Sequence, residues 1–312
     1  MFAIAFLGGA QAEGYPGRPI TLIVGAEAGS APDVIGRALS SSLERALATS
    51  IVIDNKPGGT GSIAASQVAR AKADGYTLLL GTVASNAIAD STIPGLGYDS
   101  IKSFEPVAQI ASVPLVLVVN AGSGPESLPD LIGKARRAPG KLNYASPGIG
   151  SIQNLTSEAF KAETSTDIVH VPYRGGASAV MAVLKGEVEF FFAGLPPAIA
   201  QLQAGTLRAF AVTSDQRVAS LPDVPTIREL GYPGLRADNW HAIFAPRGTP
   251  AAVIGRLSAA LQEVLKDPGV QQRLLQAGAI ARFAPPSALR ALVQSEKSRW
   301  ETVVKSSGIR VE

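Results

Sequence analysis

One unit recurs along this chain and limits what it can fold into: a short apolar strand, a loop of small residues, then an amphipathic helix. Its first copy is the stretch ITLIVGAEAGSAPDVIGR at residues 20–37. Residues 20–24 read as a strand, and the loop runs directly into a helix that places Ile35, Leu39, Leu43 and Leu47 on roughly one face. Ser30-Ala-Pro-Asp33 fits the S-x-x-D form of a helix start, with Ser30 as N-cap and Pro32 tolerated in the first turn. The rhythm returns with a strand at 51–54, the loop Asn55-Lys-Pro-Gly-Gly-Thr-Gly61 and a helix near 62–73. A strand at 76–81 and a strand-to-helix crossing at 82–86 follow. Strands that alternate with helices call for a parallel sheet covered on its faces.

Residues 94–106 read as irregular. Strands are expected again at 107–110 and 115–120, the second nearly all apolar, as for a strand buried on both sides. The second half then repeats the opening, with a strand at 142–146, the tight loop Pro147-Gly-Ile-Gly-Ser151 and a helix at 152–163. It continues through strand 168–172, helix 177–184, strand 188–193, helix 198–204 and strand 207–213. A Pro/Gly-rich connection covers 221–234, a strand resumes at 239–244, and helices at 250–266, 269–276 and 287–305 finish the chain. The pattern predicts an α/β protein of two lobes, with parallel or mixed sheets flanked by helices and a ligand cleft between them. Residues 15–114 plus 238–312 make lobe 1, and 115–237 make lobe 2.

The loops at 25–33 and 146–151 both fall at strand carboxyl ends, where such sheets bind ligands. A small-residue loop ending at a helix N-terminus offers backbone N–H groups to an anion. One helix end contributes only ~0.3–1 kcal/mol, whereas micromolar binding needs about 8 kcal/mol. A single loop is therefore no site. Two of them facing each other across a cleft could be one.

Other chemistries are poorly served. The formal charge of +3 is modest, and no cluster of Lys and Arg with interleaved aromatics suggests nucleic acid. There are no cysteines, which removes disulfides, zinc–thiolate sites and thiol nucleophiles. The chain has no G-x-x-x-x-G-K-[ST] phosphate loop and no G-x-S-x-G elbow, and Gly148-Ile-Gly150 alone makes no dinucleotide site. His170 and His241 are the only histidines and lack close acidic companions in sequence, so neither a metal nor a cofactor is expected. His170 reads as a strand-end residue and His241 as a pocket or core residue. The first twelve residues, MFAIAFLGGAQA, are apolar, too short to span a bilayer and close on Ala10-Gln-Ala12. We read 1–12 as a secretory signal peptide, although the usual basic start is missing.

Eight segments, taken in order, resemble the periplasmic solute-binding proteins of tripartite tricarboxylate transporters, the Bug or TctC-like family. They are Tyr15-Pro-Gly-Arg-Pro-Ile20, the loop from Gly25 to Asp33, Asp54-Asn-Lys-Pro-Gly58, Asp74-Gly-Tyr-Thr-Leu78, Tyr144-Ala-Ser-Pro-Gly148, His170-Val-Pro-Tyr-Arg-Gly175, Leu221-Pro-Asp-Val-Pro-Thr226 and Ala245-Pro-Arg-Gly-Thr-Pro250. The resemblance implies a two-lobed, type II-like periplasmic-binding-protein fold that closes around a small carboxylate and hands it to membrane permease subunits. It implies a periplasmic, non-enzymatic, monomeric protein. The implied ligand positions are Ala26, Glu27, Ala28, Gly29 and Ser30 in the first loop and Ser146, Gly148, Gly150 and Ser151 in the second. Further implied positions are Thr82, Asn86, Asn154, Tyr173, Arg174, Gly194, Asn239 and Trp240.

Two departures stand out. Glu27 occupies a place where the family commonly has a small residue or proline, and its carboxylate would oppose an anion unless it points away or meets a cationic ligand group. Ala193-Gly194 replaces an acidic residue common after the phenylalanines of that strand, which leaves room for a bulkier, more apolar acid. Several residues carry two readings. Asp33 serves either the helix start or the ligand, Arg174 either a carboxylate or the surface, and Trp240 either the core or a pocket wall. A sensor component that reports to a membrane kinase is the second functional class, and an enzyme acting on small acids the third.

Overall fold

The computed structural model describes residues 14–309, so the leader reading of 1–12 lies outside the described residues. Lobe 1 opens with β1 (Ile20–Val24), α1 (Ala31–Leu47), β2 (Ile51–Asn55), α2 (Ser62–Ala69) and β3 (Thr77–Thr82). A wide π-type turn at Ala84–Ile88 runs into α3 (Ala89–Thr92), and β4 (Phe104–Asn120) then leaves for lobe 2. Lobe 2 holds α4 (Leu128–Arg137), β5 (Asn143–Ser146), α5 (Ile152–Thr164), β6 (Val169–Pro172), α6 (Gly176–Lys185), β7 (Phe190–Gly194), α7 (Leu195–Gln203) and β8 (Leu207–Val212). β9 (Asp238–Pro246) returns, followed by α8 (Ala251–Lys266), α9 (Pro268–Gln276), β10 (Ile280–Ala284) and α10 (Pro286–Ser307).

The two lobes share one plan. Lobe 1 orders its strands β2-β1-β3-β9-β4-β10, and lobe 2 orders them β6-β5-β7-β4-β8. In each, three parallel strands meet an antiparallel strand that has crossed from the other lobe, β9 in the first and β4 in the second. This is the periplasmic-binding-protein-like α/β architecture expected above.

The strands at 107–110 and 115–120 prove to be one strand, β4, whose side chains alternate strictly in lobe 2. Leu115, Leu117 and Val119 enter one core with Phe160, Phe190 and Phe192, while Val116 and Val118 enter another beneath α6 and α7. Pro114 does not interrupt β4, because it sits where the pairing passes from β9 at Pro114 to β7 at Leu115. Lobe 1 buries Ile20, Leu22 and Val24 against α1 and α8, and Ile23, Leu79 and Phe244 on the opposite face.

Other expectations change in detail. The helix near 62–73 stops at Ala69, where Arg70 and Ala71 donate to the carbonyls of Gln67 and Val68 and tighten the last turn. α4 and β10 were not anticipated. Ser30 occupies the N-cap position of α1 but makes no side-chain cap; its hydroxyl instead donates to the Glu27 carbonyl at 2.5 Å. The S-x-x-D start is realised at Ser127 of α4, whose hydroxyl accepts the Asp130 N–H at 3.2 Å.

Candidate functional site

Strand register puts the two small-residue loops on either side of the crossing. The carboxyl end of β3 is level with β9 at Thr82–His241, and His241 pairs with Ala111 of β4. The carboxyl end of β7 is level with β4 at Gly194–Leu115. Four residues of β4 thus separate the ends of the two parallel sets, about 13 Å at ~3.3 Å per residue. The loops after β1, β3, β5 and β7 all open toward this gap. Asn239 pairs with Val113 inside it and is half-buried.

The first jaw is braced from beneath by Asp33. Its carboxylate, 2% exposed, accepts the Gly29 N–H at 2.8 Å, Asn55 Nδ2 at 3.0 Å and Arg37 Nε at 3.0 Å. Burial raises the Asp33 carboxyl, but the Arg37, Gly29 and Asn55 hydrogen bonds outweigh it and hold the group below the usual carboxylate range. Asp33 therefore ties the loop ahead of α1 to β2 and to the helix. The Gly29 amide is engaged, as is the Ser30 amide, which donates to the Glu27 carbonyl at 3.1 Å. The amides of Ala26, Glu27 and Ala28 have no protein acceptor among the described residues. Glu27, Ala28 and Gly29 are exposed, and Glu27 makes no ion pair among the described residues.

Behind this loop the backbones crowd together. A Cβ on Gly25 would lie 2.7 Å from the Cα of Gly61, and one on Gly81 would lie 2.8 Å from the Phe244 ring and overlap Asn86 Oδ1. Only glycine lets the 58–61 turn and the Asn86 side chain approach so closely. The Thr82 amide donates to Ser85 Oγ at 3.1 Å, and Ser85 Oγ donates to Asn86 Oδ1 at 2.7 Å. Asn86 Nδ2 and Trp240 Nε1 are buried donors without a protein acceptor among the described residues. Trp240 is fully buried, with its ring 6.4 Å from that of Phe244.

The second jaw is a wired loop. Ser146, fully buried, holds His170 Nε2 at 2.6 Å and accepts the Gly148 N–H at 3.1 Å. Ser151 caps α5 through the Asn154 N–H at 3.2 Å and donates to the Gly148 carbonyl at 2.7 Å. Asn154 accepts the Gly150 N–H at 3.1 Å and donates to Tyr144 Oη at 2.8 Å; Tyr144 in turn donates to Glu158 at 2.5 Å. Asn154 thus faces the loop, not open solvent. The Tyr173 amide donates to the Ser146 carbonyl at 2.8 Å and ties the β6 loop to the same jaw. Arg174 beside it is exposed and without an ion pair among the described residues. At Gly194 a Cβ would meet only Pro196 and Val113, both at 3.9 Å, so the position has room.

Sequence reasoning gave His170 only a strand-end role and did not connect it to Ser146. His170 stands opposite Tyr144 in the β5–β6 ladder, so its ring shares a face with Tyr144 and stacks on it at 4.9 Å. Aligning strands 142–146 and 168–172 in parallel register would have found it.

A pair of α/β lobes joined by crossing strands, with small-residue loops from both facing the crossing, defines a two-lobed solute-binding protein. Residues 35–309 match the profile of the tripartite tricarboxylate transporter family receptor. BugT of Bordetella pertussis is 34% identical over 302 residues, covering 96% of this chain and 93% of BugT. The structure of Rpa4515 of R. palustris with adipate is 36% identical with a TM-score of 0.84, covering 95% of this chain and 99% of that one. MatC (Rpa3494) of Rhodopseudomonas palustris with bound malate is 32% identical with a TM-score of 0.81, covering 93% and 100%. The chain belongs to this receptor family of periplasmic solute-binding proteins, whose members bind solutes and are not enzymes.

Proposed function

We propose that the protein captures a small organic acid, a dicarboxylate or a related tri- or aromatic acid, between residues 26–30 and 146–151. It delivers the acid to the membrane subunits of a tripartite tricarboxylate-type transporter, working as a monomer exported by its leader. The observation that carries this reading is the pair of jaws: free amides at Ala26–Ala28 on one side of the crossing, and the braced 146–151 loop with Arg174 on the other. Amides and a guanidinium suit a carboxylate, and hinge movement at the crossing strands would close the jaws on it. The relatives that hold adipate and malate support the ligand class. Asn86, four residues after the end of β3, and Trp240 on β9 each carry a buried donor without a protein acceptor among the described residues, which a ligand's bridging water would satisfy.

Thermal unfolding with a panel of adipate, malate, citrate and benzoate tests this. A ligand at a hundred times its Kd stabilises the native state by about 2.7 kcal/mol, which a melting scan resolves. A flat melting temperature with every acid at millimolar concentration would refute the reading.

Two variants place the site. Ala28→Trp, at an exposed loop position, fills the gap and should abolish the shift while leaving the apo melting temperature within about 1 °C, since surface changes usually stay within about 0.5 kcal/mol. Unaltered binding there would move the ligand elsewhere. Glu27→Ala removes an exposed carboxylate from the first-jaw loop and should tighten dicarboxylate binding roughly three- to tenfold at low salt, less as salt is raised. An equal effect on an ammonium-bearing acid would mean that Glu27 points away from the cleft.

A further inference from the structure

Ser146 has more partners than a structural serine needs. Its oxygen lies 2.6 Å from His170 Nε2, 3.0 Å from the Gly148 carbonyl and 3.1 Å from the Gly148 amide. These contacts allow two complete hydrogen-bond patterns. With neutral His170 protonated on Nδ1, Ser146 donates to Nε2 and accepts the Gly148 N–H. With the imidazolium, as with the neutral Nε2–H tautomer, Nε2–H donates to Ser146 and the hydroxyl proton turns to the Gly148 carbonyl; protonation leaves this pattern as the only one. Neither pattern strands a buried group, so a proton can enter without breaking the jaw.

We propose that His170 is a positioning residue of the second jaw: its protonation sets the direction of the Ser146 hydroxyl and couples capture of an anionic acid to proton uptake. The inference rests on the reading that a carboxylate occupies the 26–30/146–151 cleft.

The surroundings leave His170 responsive to an anion. It packs between β5 and α5, and the charged or titratable groups that face it there are Tyr144, Glu158 and Lys161. Glu158 is already committed, accepting Tyr144 Oη at 2.5 Å and pairing with Lys161 at 3.0 Å. Burial is the main influence on the imidazole and lowers its pKa; Glu158 raises it and Lys161 lowers it. Empty, the jaw thus favours neutral His170. A carboxylate against the 146–151 loop brings the counter-charge that the imidazolium lacks. An opposite charge within about 4–6 Å raises a base by about one unit or more. By reciprocity, binding tightens by the same factor, about tenfold, as His170 becomes protonated.

The chain holds only two histidines, so imidazole NMR separates them cleanly. Imidazole shifts of the whole protein would be followed from pH 8.5 to 5 with and without saturating concentrations of each acid in the panel. The resonance lost in His170→Asn should titrate about one unit higher in the loaded protein. His170→Asn keeps a hydrogen-bonding group beside Ser146 but no charge. Its Kd should therefore change less between pH 7.5 and 5.5 than the wild-type Kd, by about fivefold or more. Ionisation of the ligand itself cancels in that comparison. A merely structural histidine would move neither readout. Binding seen by thermal shift with an unchanged His170 titration would overturn this inference alone, and no binding by any panel acid would overturn it together with the carboxylate reading. If His170→Asn does not fold, the wild-type titration decides.

Discussion

Asp33→Ala should cost about 2–3 kcal/mol of stability, in the range for leaving buried polar partners unmet, and should weaken acid binding by at least tenfold. The carboxylate gathers the Gly29 amide, Asn55 and Arg37 beneath the first jaw. Without it the amide and Asn55 Nδ2 lose an acceptor, and the loop that carries Ala26–Ala28 loses its anchor to α1. The Arg37 side chain is 55% exposed, so water takes over much of its share, and the loss falls below that of a fully buried pair. Chemical unfolding and titration with the best panel acid give the two numbers separately. Asp33→Asn, which keeps one acceptor oxygen, should fall between. Stability within 0.5 kcal/mol of wild type in Asp33→Ala would mean that the brace is not what orders the jaw.

Acid should weaken the fold through His241. Its ring is fully buried on β9, its Nδ1 lies 3.0 Å from the Asn239 carbonyl, and Nε2 has no protein partner among the described residues. Burial drives the imidazole down to about 4, although the Asn239 carbonyl favours the cation. The unfolded chain takes up this proton near the ordinary value of about 6.5, and the folded chain only near 4. Between these values the unfolded state binds more protons. Stability present above pH 6.5 is therefore lost as pH falls toward 4, by roughly 3 kcal/mol. His170, also lowered by burial, adds a loss of the same sign. Unfolding free energies at pH 7 and pH 4.5 check this against His241→Gln, whose slope should be shallower. Equal slopes would show that His241 carries none of the acid sensitivity.

These effects arise at positions where the linear sequence was only partly informative. The alternation of strand, small-residue loop and helix made the α/β class and both jaws legible, because strand and helix periods are local properties. Pairing is not local. The strands expected at 107–110 and 115–120 are one strand, β4, and Pro114 falls within it where the ladder changes partners. β10 is five residues of mixed exposure between Gly278 and Pro285, too short and too irregular for a period to show. The S-x-x-D pattern occurs at both Ser30 and Ser127, and only tertiary contacts decide that the second caps its helix while the first does not. Glu27 and Arg174 stood out through the family resemblance together with their charge. The wiring of Ser146 to His170, 24 residues apart, needed the β5–β6 register.

Two glycines shape the first jaw. At Gly25 and Gly81 a side chain would push the 58–61 turn or Asn86 out of place, and the first jaw would lose its shape. A second interlobe feature lies elsewhere: a mainly apolar crevice where Leu195, Pro196 and Ile199 of lobe 2 face Leu275, Gly278 and Ile280 of lobe 1. Its lining residues carry no charged group to pair with a carboxylate.

A crystal structure with the panel acid that raises the melting temperature most is the decisive measurement. The two-jaw site predicts one carboxylate of the ligand within hydrogen-bond distance of the amides at Ala26–Ala28 and of the 146–151 loop together. Density for the acid in the Leu195–Ile280 crevice, or on one lobe alone with the lobes fully closed, would contradict it.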